Sequence, residues 1–224
     1  MKKILIIVNI ILPLSLLTSC CATTERKEIS LKRVGNLTGD FSFKDSWSYP
    51  EGIYRNEFGQ LSCDGFCPPE TDKMKDENGR IYENFLEAFY ELIDTTHIFH
   101  SLKSDAWTYE WAGTNYIIAE RINKDTIVCF TQNNAATHSN LHLIITKNTV
   151  KPTIVLNSIV SKNGEKTYCC KSGKMVIDKK LLNKGILKAT FDFEFYHDEN
   201  PNKMYWKGKI YAKIKQTDNY LCIH

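Results

Sequence analysis

The spacing of apolar residues changes once along the chain, near residue 105, from a helical period to a period of two. Before that point, Asp76, Asn78 and Gly79 offer turn and capping chemistry. The apolar residues that follow recur at helical spacing and are Ile81, Phe85, Phe89, Leu92 and Ile93. This spacing predicts one amphipathic helix, over about 80–95, with an apolar stripe that packs on a sheet.

From Lys103 onward, apolar and polar residues alternate in short runs that are typical of β-strands. Turn residues separate these runs at 113–115, 123–125, 147–151 and 172–173. The pattern predicts a mainly β (α+β) fold, namely an antiparallel β-sandwich or open barrel with the helix packed on it.

The last two alternating runs predict a hairpin with one apolar and one charged face. We expect Phe193 to lie opposite Gly208, because this register joins apolar side chains on one face. The same register pairs acids with lysines on the other face: Asp192, Glu194, Lys207 and Lys209. A slip by one residue would move every side chain to the wrong face.

The first 19 residues have a different pattern and do not belong to the fold. Met1-Lys2-Lys3 is cationic, Ile4 to Leu17 is almost wholly apolar, and Ser19 is small, as in a signal peptide. This apolar run is shorter than the roughly 20 residues that span a bilayer. An ordinary secretory leader has the same general plan.

Leu17-Thr18-Ser19-Cys20 closes this leader and resembles the lipobox of bacterial lipoproteins. The resemblance implies that Cys20 carries a diacylglycerol, that the leader is removed before it, and that the new N-terminus is acylated. Several acyl chains give stable membrane attachment. Cys21, rather than an aspartate, follows the anchor, which implies outer-membrane attachment in a bacterium that has an outer membrane.

The segment after the anchor is polar and has little apolar periodicity. We therefore expect residues 1–19 to be a signal peptide and residues 20–36 a lipid anchor with a flexible tether. Residues 37–224 then form a single β-rich globular domain.

Charge composition excludes one class of partner. The full chain has 29 basic and 26 acidic residues, and loss of Lys2 and Lys3 with the leader leaves 27 basic residues. This nearly equal number of basic and acidic residues predicts no nucleic-acid partner and no polybasic membrane patch. The sequence contains no dinucleotide, phosphate-loop or zinc-protease motif, so we expect no cofactor and no metal.

Removing Cys20 from the eight cysteines leaves seven for an oxidising compartment, where disulfides are expected. Cys63 and Cys67 are close enough to clip one turn. Adjacent Cys169 and Cys170 would point to opposite faces of a strand, so they are expected to differ in their bonding. The odd number leaves at least one thiol unpaired, and the remaining connectivity stays open.

Cys63-Asp64-Gly65-Phe66 resembles, over four residues and with a changed order, the Asp-Cys-Ser-Gly-Phe motif of papain-like cell-wall peptidases of the NlpC family. The resemblance implies a nucleophilic Cys63 at a helix N-terminus. Pro68 and Pro69 oppose a continuing helix, and a bond to Cys67 would remove the nucleophile.

The run Trp107, Tyr109 and Trp111 has the spacing of one strand face. Exposed, this row is a ligand platform on which sugar rings stack; buried, it is core. Two histidine pairs, His97 with His100 and His138 with His142, lack the context of a metal site and are expected at the surface.

These observations favour a lipid-anchored cell-envelope lipoprotein with a non-catalytic β-rich binding or structural domain. Its partners are the membrane, through the N-terminal lipid, and an envelope protein or glycan. A periplasmic immunity or inhibitor protein is the first alternative. A cysteine-dependent cell-wall hydrolase is the second.

Overall fold

The computed structural model describes residues 27–65, 67–110, 112–131, 138–157, 165–196 and 203–216. The strands in these ranges are β1 (Ile29–Val34), β2 (Trp47–Ser48), β3 (Ile53–Arg55), β4 (Leu61–Cys63), β5 (Ile98–Phe99), β6 (Leu102–Trp107), β7 (Ile117–Asn123), β8 (Thr126–Thr131), β9 (Ser139–Ile145), β10 (Thr149–Asn157), β11 (Glu165–Asp178), β12 (Ile186–Phe195) and β13 (Tyr205–Gln216). The α-helices are α1 (Leu86–Leu92) and α2 (Lys179–Leu182), and 3₁₀ segments lie at Ser42–Asp45, Pro69–Met74 and Glu83–Phe85. The predicted mainly β fold class is confirmed.

Seven consecutive strands, β7 to β13, form a ring in which each strand pairs with the next. An up-and-down chain with an odd number of strands has its first and last strands in the same direction. β13 therefore closes on β7 in parallel, over three residue pairs from Ile214 opposite Ala119 to Gln216 opposite Arg121. The result is a closed, barrel-like sheet rather than a purely antiparallel one.

Two further strands complete the nine-stranded sheet. β6 pairs antiparallel with the first half of β13. β1 lies between the ends of β10 and β11, antiparallel to the former and parallel to the latter. The predicted flexible tether is therefore wrong for residues 29–34, where the side chains of Ile29 and Leu31 are buried in the main core. β1 has exposed polar residues at Ser30, Lys32 and Arg33, and pairing on both sides holds it in place.

Alternating residues of the ring strands fill its interior with apolar side chains. The inward residues of β12 and β13 are almost fully buried and include Leu187, Ala189, Phe191, Phe193, Phe195, Trp206, Ile210 and Ala212. Burying each large side chain contributes roughly 1.5–3 kcal/mol relative to exposure. The interior of the ring is a packed core.

The β12–β13 hairpin has the predicted faces, but its register differs from the predicted one by two residues. Phe193 lies opposite Trp206, and Phe191 lies opposite Gly208. A shift of two residues preserves which face every side chain occupies, so apolar alternation cannot detect it. Gly208 is required for another reason: a Cβ there would lie 2.5 Å from the carbonyl oxygen of Lys103 on β6.

Residues 47–99 contain a small second core beside the ring. It consists of Ile81, Phe89, Ile93 and Cys63, with partly buried Ile53, Leu61, Met74, Leu86 and Tyr90 around them. The backbone N–H of Leu61 on β4 donates to the Tyr90 hydroxyl at 3.2 Å. α1 therefore packs on the β3–β4 hairpin rather than on the large sheet.

The helix is shorter than the predicted span of about 80–95. A 3₁₀ segment precedes it, and Ile93 already has an extended backbone with ψ of 147°. The predicted apolar stripe is only partly used, because Phe85 and Leu92 are 37% and 40% exposed. Apolar spacing thus located the helix, but not its length or its packing partner.

At one end of the ring, α2 connects β11 to β12. Asp178 caps this helix by accepting a hydrogen bond from the backbone N–H of Leu181 at 3.0 Å, and it accepts a second from the N–H of Leu37 at 2.8 Å. These donors hold the pKa of the Asp178 carboxyl below its ordinary value. No helix among the described residues is long and apolar enough to cross a membrane.

Candidate functional site

A notch opens in the large sheet where β13 changes neighbours. Its first half pairs with β6 and its last three residues pair with β7. Between the two pairings, the N–H of Tyr211 donates to the carbonyl oxygen of Ser101 at 2.9 Å. The buried Ser101 hydroxyl donates to the carbonyl of Ile117 at 2.9 Å and accepts from its N–H at 2.8 Å. Ser101 therefore fixes the point at which the two strands diverge.

The notch is the floor of a cleft of about 570 Å³. β5 forms one wall of the cleft through Ile98 and Phe99. It is paired with β2, with Trp47 opposite Phe99 and Ser48 opposite Ile98. The N–H of His100 donates to the carbonyl of Ser46 at 3.0 Å and holds this wall in place. A concave site between two sheet elements is a common place for a ligand.

Aromatic rings line the cleft and its rim. Phe99 is 59% exposed, and Tyr116 and Tyr211 also line the cleft. Next to the cleft, the exposed Trp47 ring stacks on His97 with centroids 3.6 Å apart and an interplanar angle of 11°. Exposed aromatic surface in a concave site favours contact with an apolar or ring-shaped ligand face.

The polar groups of the cleft are mainly hydrogen-bond donors. Lys213 and Lys215 have no acidic partner within the described ranges, whereas Lys44 is paired with Asp45. The buried Nε2 atom of His100 has no hydrogen-bond partner among the described residues. A buried ring nitrogen without a partner is uncommon. The site can therefore combine ring contact with a few directed hydrogen bonds.

The predicted platform does not form a single strand face. β6 ends at Trp107, whose half-buried ring packs against the main core. Tyr109 lies beyond the strand and is 37% exposed, with its ring 6.4 Å from Trp107 and 5.7 Å from Tyr168. Trp111 lies outside the described residues. β6 ends before the second member of the row, and Trp111 is not described, so the ligand platform stays a prediction.

The histidines have separate environments. A carboxylate oxygen of Glu110 lies 3.7 Å from Nδ1 of His138, which is 3.3 Å from the carbonyl of Asn157. His142 is half-buried on β9, and this burial lowers its pKa. Within the described residues, no group of three or more His, Cys, Asp or Glu side chains is placed to hold a metal.

The cysteines agree with the disulfide prediction. Cys63 and Cys67 are joined, with Cα atoms 5.7 Å apart, so Cys63 carries no nucleophilic thiol and the hydrolase alternative loses its residue. Cys169 is disulfide-bonded, whereas its neighbour Cys170 is free, as expected from their opposite directions. Cys129 is also free and buried. Cys20, Cys21 and Cys222 lie outside the described residues.

Sequence reasoning missed the cleft. Its residues come from four separated segments, at 44–45, 97–101, 116–119 and 211–215. The only sign of the cleft in the local sequence was the spacing of His97 and His100. By itself, this spacing suggests either a metal site or no functional site. Compared with known proteins, the chain matches no protein-family model, no curated protein and no solved structure.

Proposed function

We propose that the protein is a lipid-anchored lipoprotein of the cell envelope, and that its β-rich body binds a ligand in the cleft without catalysing a reaction. The leader ending at Leu17-Thr18-Ser19-Cys20 supports the anchor. The disulfide between Cys63 and Cys67 supports an oxidising compartment. The resemblance to lipoproteins and the disulfide were inferred from different residues, so they support export independently.

The observation that carries the binding role is the cleft itself. Phe99 presents a largely exposed ring, and His100 presents a buried nitrogen without a partner in the described part of the chain. An exposed aromatic ring does not stabilise an isolated protein, whereas it gains free energy when a ligand covers it. A glycan fits this combination, because sugar rings have apolar C–H faces and hydroxyl groups on their edges.

The anchor is tested by metabolic labelling of cells with a clickable palmitate analogue. The wild-type chain is expected to incorporate the label and to fractionate with membranes. Cys20→Ala is expected to lose both properties, and Cys21→Ala is the matched control that keeps them. Incorporation by Cys20→Ala would contradict the lipoprotein assignment.

The cleft is tested by co-sedimentation of the full chain in neutral detergent with purified cell-wall glycan. Phe99→Ala is expected to weaken binding up to about tenfold, because one ring contact contributes roughly 0.5–1.5 kcal/mol beyond the area it buries. Phe58→Ala is the matched control, since Phe58 is 44% exposed but lies outside the cleft. Equal binding by the wild-type chain and Phe99→Ala would contradict a site in this cleft.

An immunity or inhibitor protein is the second candidate, and one surface favours it. Exposed aromatic side chains gather around the small second core of residues 47–99. Arg80 lies 5.8 Å from the Phe58 ring centroid, and the ring centroids of Tyr82 and Phe85 are 6.4 Å apart. Tyrosine and arginine are enriched at the energetic centres of protein interfaces. Capture of one envelope enzyme that is lost in Tyr82→Ala but kept in Phe99→Ala would favour this candidate.

A further inference from the structure

A second concave site lies at the end of the ring where α2 connects β11 to β12. It is separate from the aromatic residues that line the cleft. It has a volume of about 420 Å³ and is bordered by the β7–β8 turn, the β9–β10 turn and the residues after α2. Its apolar floor consists of the buried side chains of Ile127, Ile145 and Leu182. We call it the basic mouth because of the charges on its rim.

Four cationic residues line the basic mouth, and they come from distant parts of the chain: Arg33, Arg121, Lys124 and Lys147. Asp125 is the acidic residue among the lining residues. None of the four cations has an ion-pair partner in the described ranges. The whole chain has only three more basic than acidic residues, so this concentration of charge is local.

Folding alone does not favour this arrangement, because cations placed around one concavity repel each other. The arrangement is nevertheless held in place. The guanidinium of Arg33 donates to the carbonyl of Thr146 at 3.1 Å, which fixes β1 against the β9–β10 turn. Arg121 is on β7 opposite Gln216, at the parallel closure of the sheet.

We propose that the basic mouth binds a phosphate group. Two guanidinium groups and two ammonium groups match a tetrahedral dianion better than a carboxylate, which has one charge and two oxygens. The apolar floor leaves room for the organic part of a phosphate ester. The phosphate can belong to a free anion or to an anionic lipid headgroup, and the same side chains would bind either one.

This site is independent of the ligand of the cleft. Its residues do not include the aromatic rings of the proposed glycan site. Failure of one proposal therefore leaves the other unaffected.

The test follows backbone amide signals of the full chain by NMR in neutral dodecyl maltoside micelles. One arm adds inorganic phosphate, with sodium chloride at the same ionic strength as its control. The other arm adds phosphatidic acid to the micelles, with phosphatidylcholine as its control. Saturable shifts of the Lys124 and Lys147 amides are expected with phosphate, phosphatidic acid or both, and the responding arm identifies the source of the phosphate group.

Arg121→Gln is expected to weaken this binding about tenfold, the effect typical of losing one charged hydrogen bond. Lys147→Gln lies in an exposed turn, so it tests the same site without disturbing a strand. Lys174→Gln, an exposed lysine on β11, changes the net charge equally and is expected to bind like the wild-type chain.

Three outcomes would overturn the proposal. The first is the absence of saturable shifts with both phosphate sources. The second is equal shifts with phosphatidylcholine and phosphatidic acid, or with chloride and phosphate. The third is equal weakening by Lys147→Gln and Lys174→Gln, which would indicate a general charge effect.

Discussion

Gly208 is a position at which one added carbon should disturb the fold clearly. It lies on β13, where the paired strand β6 runs close to its backbone. A Cβ at this position would lie 2.5 Å from the carbonyl oxygen of Lys103 and 2.8 Å from the Cα of Ser104. Both atoms belong to the backbone, so a side-chain rotation cannot relieve the contact.

The magnitude follows from this geometry. Ordinary contact begins at 3.4 Å, so β6 and β13 would have to separate locally by about 0.9 Å. Overpacking typically costs roughly 1–3 kcal/mol. Separating the strands would also break about two ladder hydrogen bonds, which adds about 2 kcal/mol. For Gly208→Ala we therefore expect the free energy of unfolding to fall by about 4 kcal/mol, and Tm to fall by about 8–16 °C for a chain of this size.

The assay is urea unfolding followed by far-UV circular dichroism, together with a thermal scan. Gly35→Ala is the matched control, because Gly35 has an ordinary φ and no atom within 4 Å of the added Cβ. It should be neutral or more stable by up to about 1 kcal/mol. If Gly208→Ala were as stable as Gly35→Ala, the close approach of β6 to β13 would be refuted.

Three further predictions concern buried polar groups and thiols. Ser101→Ala should destabilise the chain by roughly 2–4 kcal/mol, because the buried N–H and C=O of Ile117 both lose their partner. Burial raises the pKa of the Cys170 thiol to about 12 and raises that of Cys129 as well, so iodoacetamide should label both only after unfolding, as read by mass spectrometry. Backbone N–H donors lower the pKa of Asp178 below 3.8. Its ionised form therefore contributes stability above about pH 3.8, and this stability is lost as the pH falls through the folded-state pKa. Asp178→Asn should consequently make acid unfolding less steep.

Each of these predictions has a control. Ser30→Ala removes an exposed hydroxyl without a hydrogen bond of its own in the described structure, and should be neutral. Rapid labelling of native Cys129 would contradict its burial. Acid unfolding of Asp178→Asn as steep as that of the wild-type chain would contradict the role of the donors to Asp178. A Ser101→Ala variant as stable as Ser30→Ala would show that this hydroxyl does not fix the strand divergence.

Alternation along the last two strands could be read from the sequence because it reflects which side chains face the core. Every second residue from Leu187 to Phe195 points inward, as predicted. The register could not be obtained in the same way, since a shift of two residues leaves Phe193 buried in either case. The observed pairing of Phe193 with Trp206 is what separates the alternatives.

The tether and the helix were predicted incorrectly for a related reason. The polar composition of the whole segment after the anchor predicted a tether, yet pairing with β10 and β11 orders residues 29–34. The helix was assigned to the large sheet because that sheet was the only one visible in the pattern. β3 and β4 have three residues each, which is too short for alternation to identify.

The basic mouth shows why composition is a poor guide to local charge. A nearly even balance of acids and bases predicted no polybasic patch. The fold brings Arg33 beside Lys147 from positions more than a hundred residues apart, without a matching number of acids. The order and pairing of the strands, rather than the composition, determine that these basic side chains gather in one place.

The parallel closure of the ring gives the two concave sites a common boundary. Ala119 and Lys215 line the cleft, whereas Arg121 and Gln216 line the basic mouth, and all four belong to the same three-pair seam. This seam is the shortest strand pairing in the ring, so its amides should open more readily than those of longer pairings. A molecule bound on either side would therefore slow hydrogen exchange along a backbone that also forms the wall of the other site.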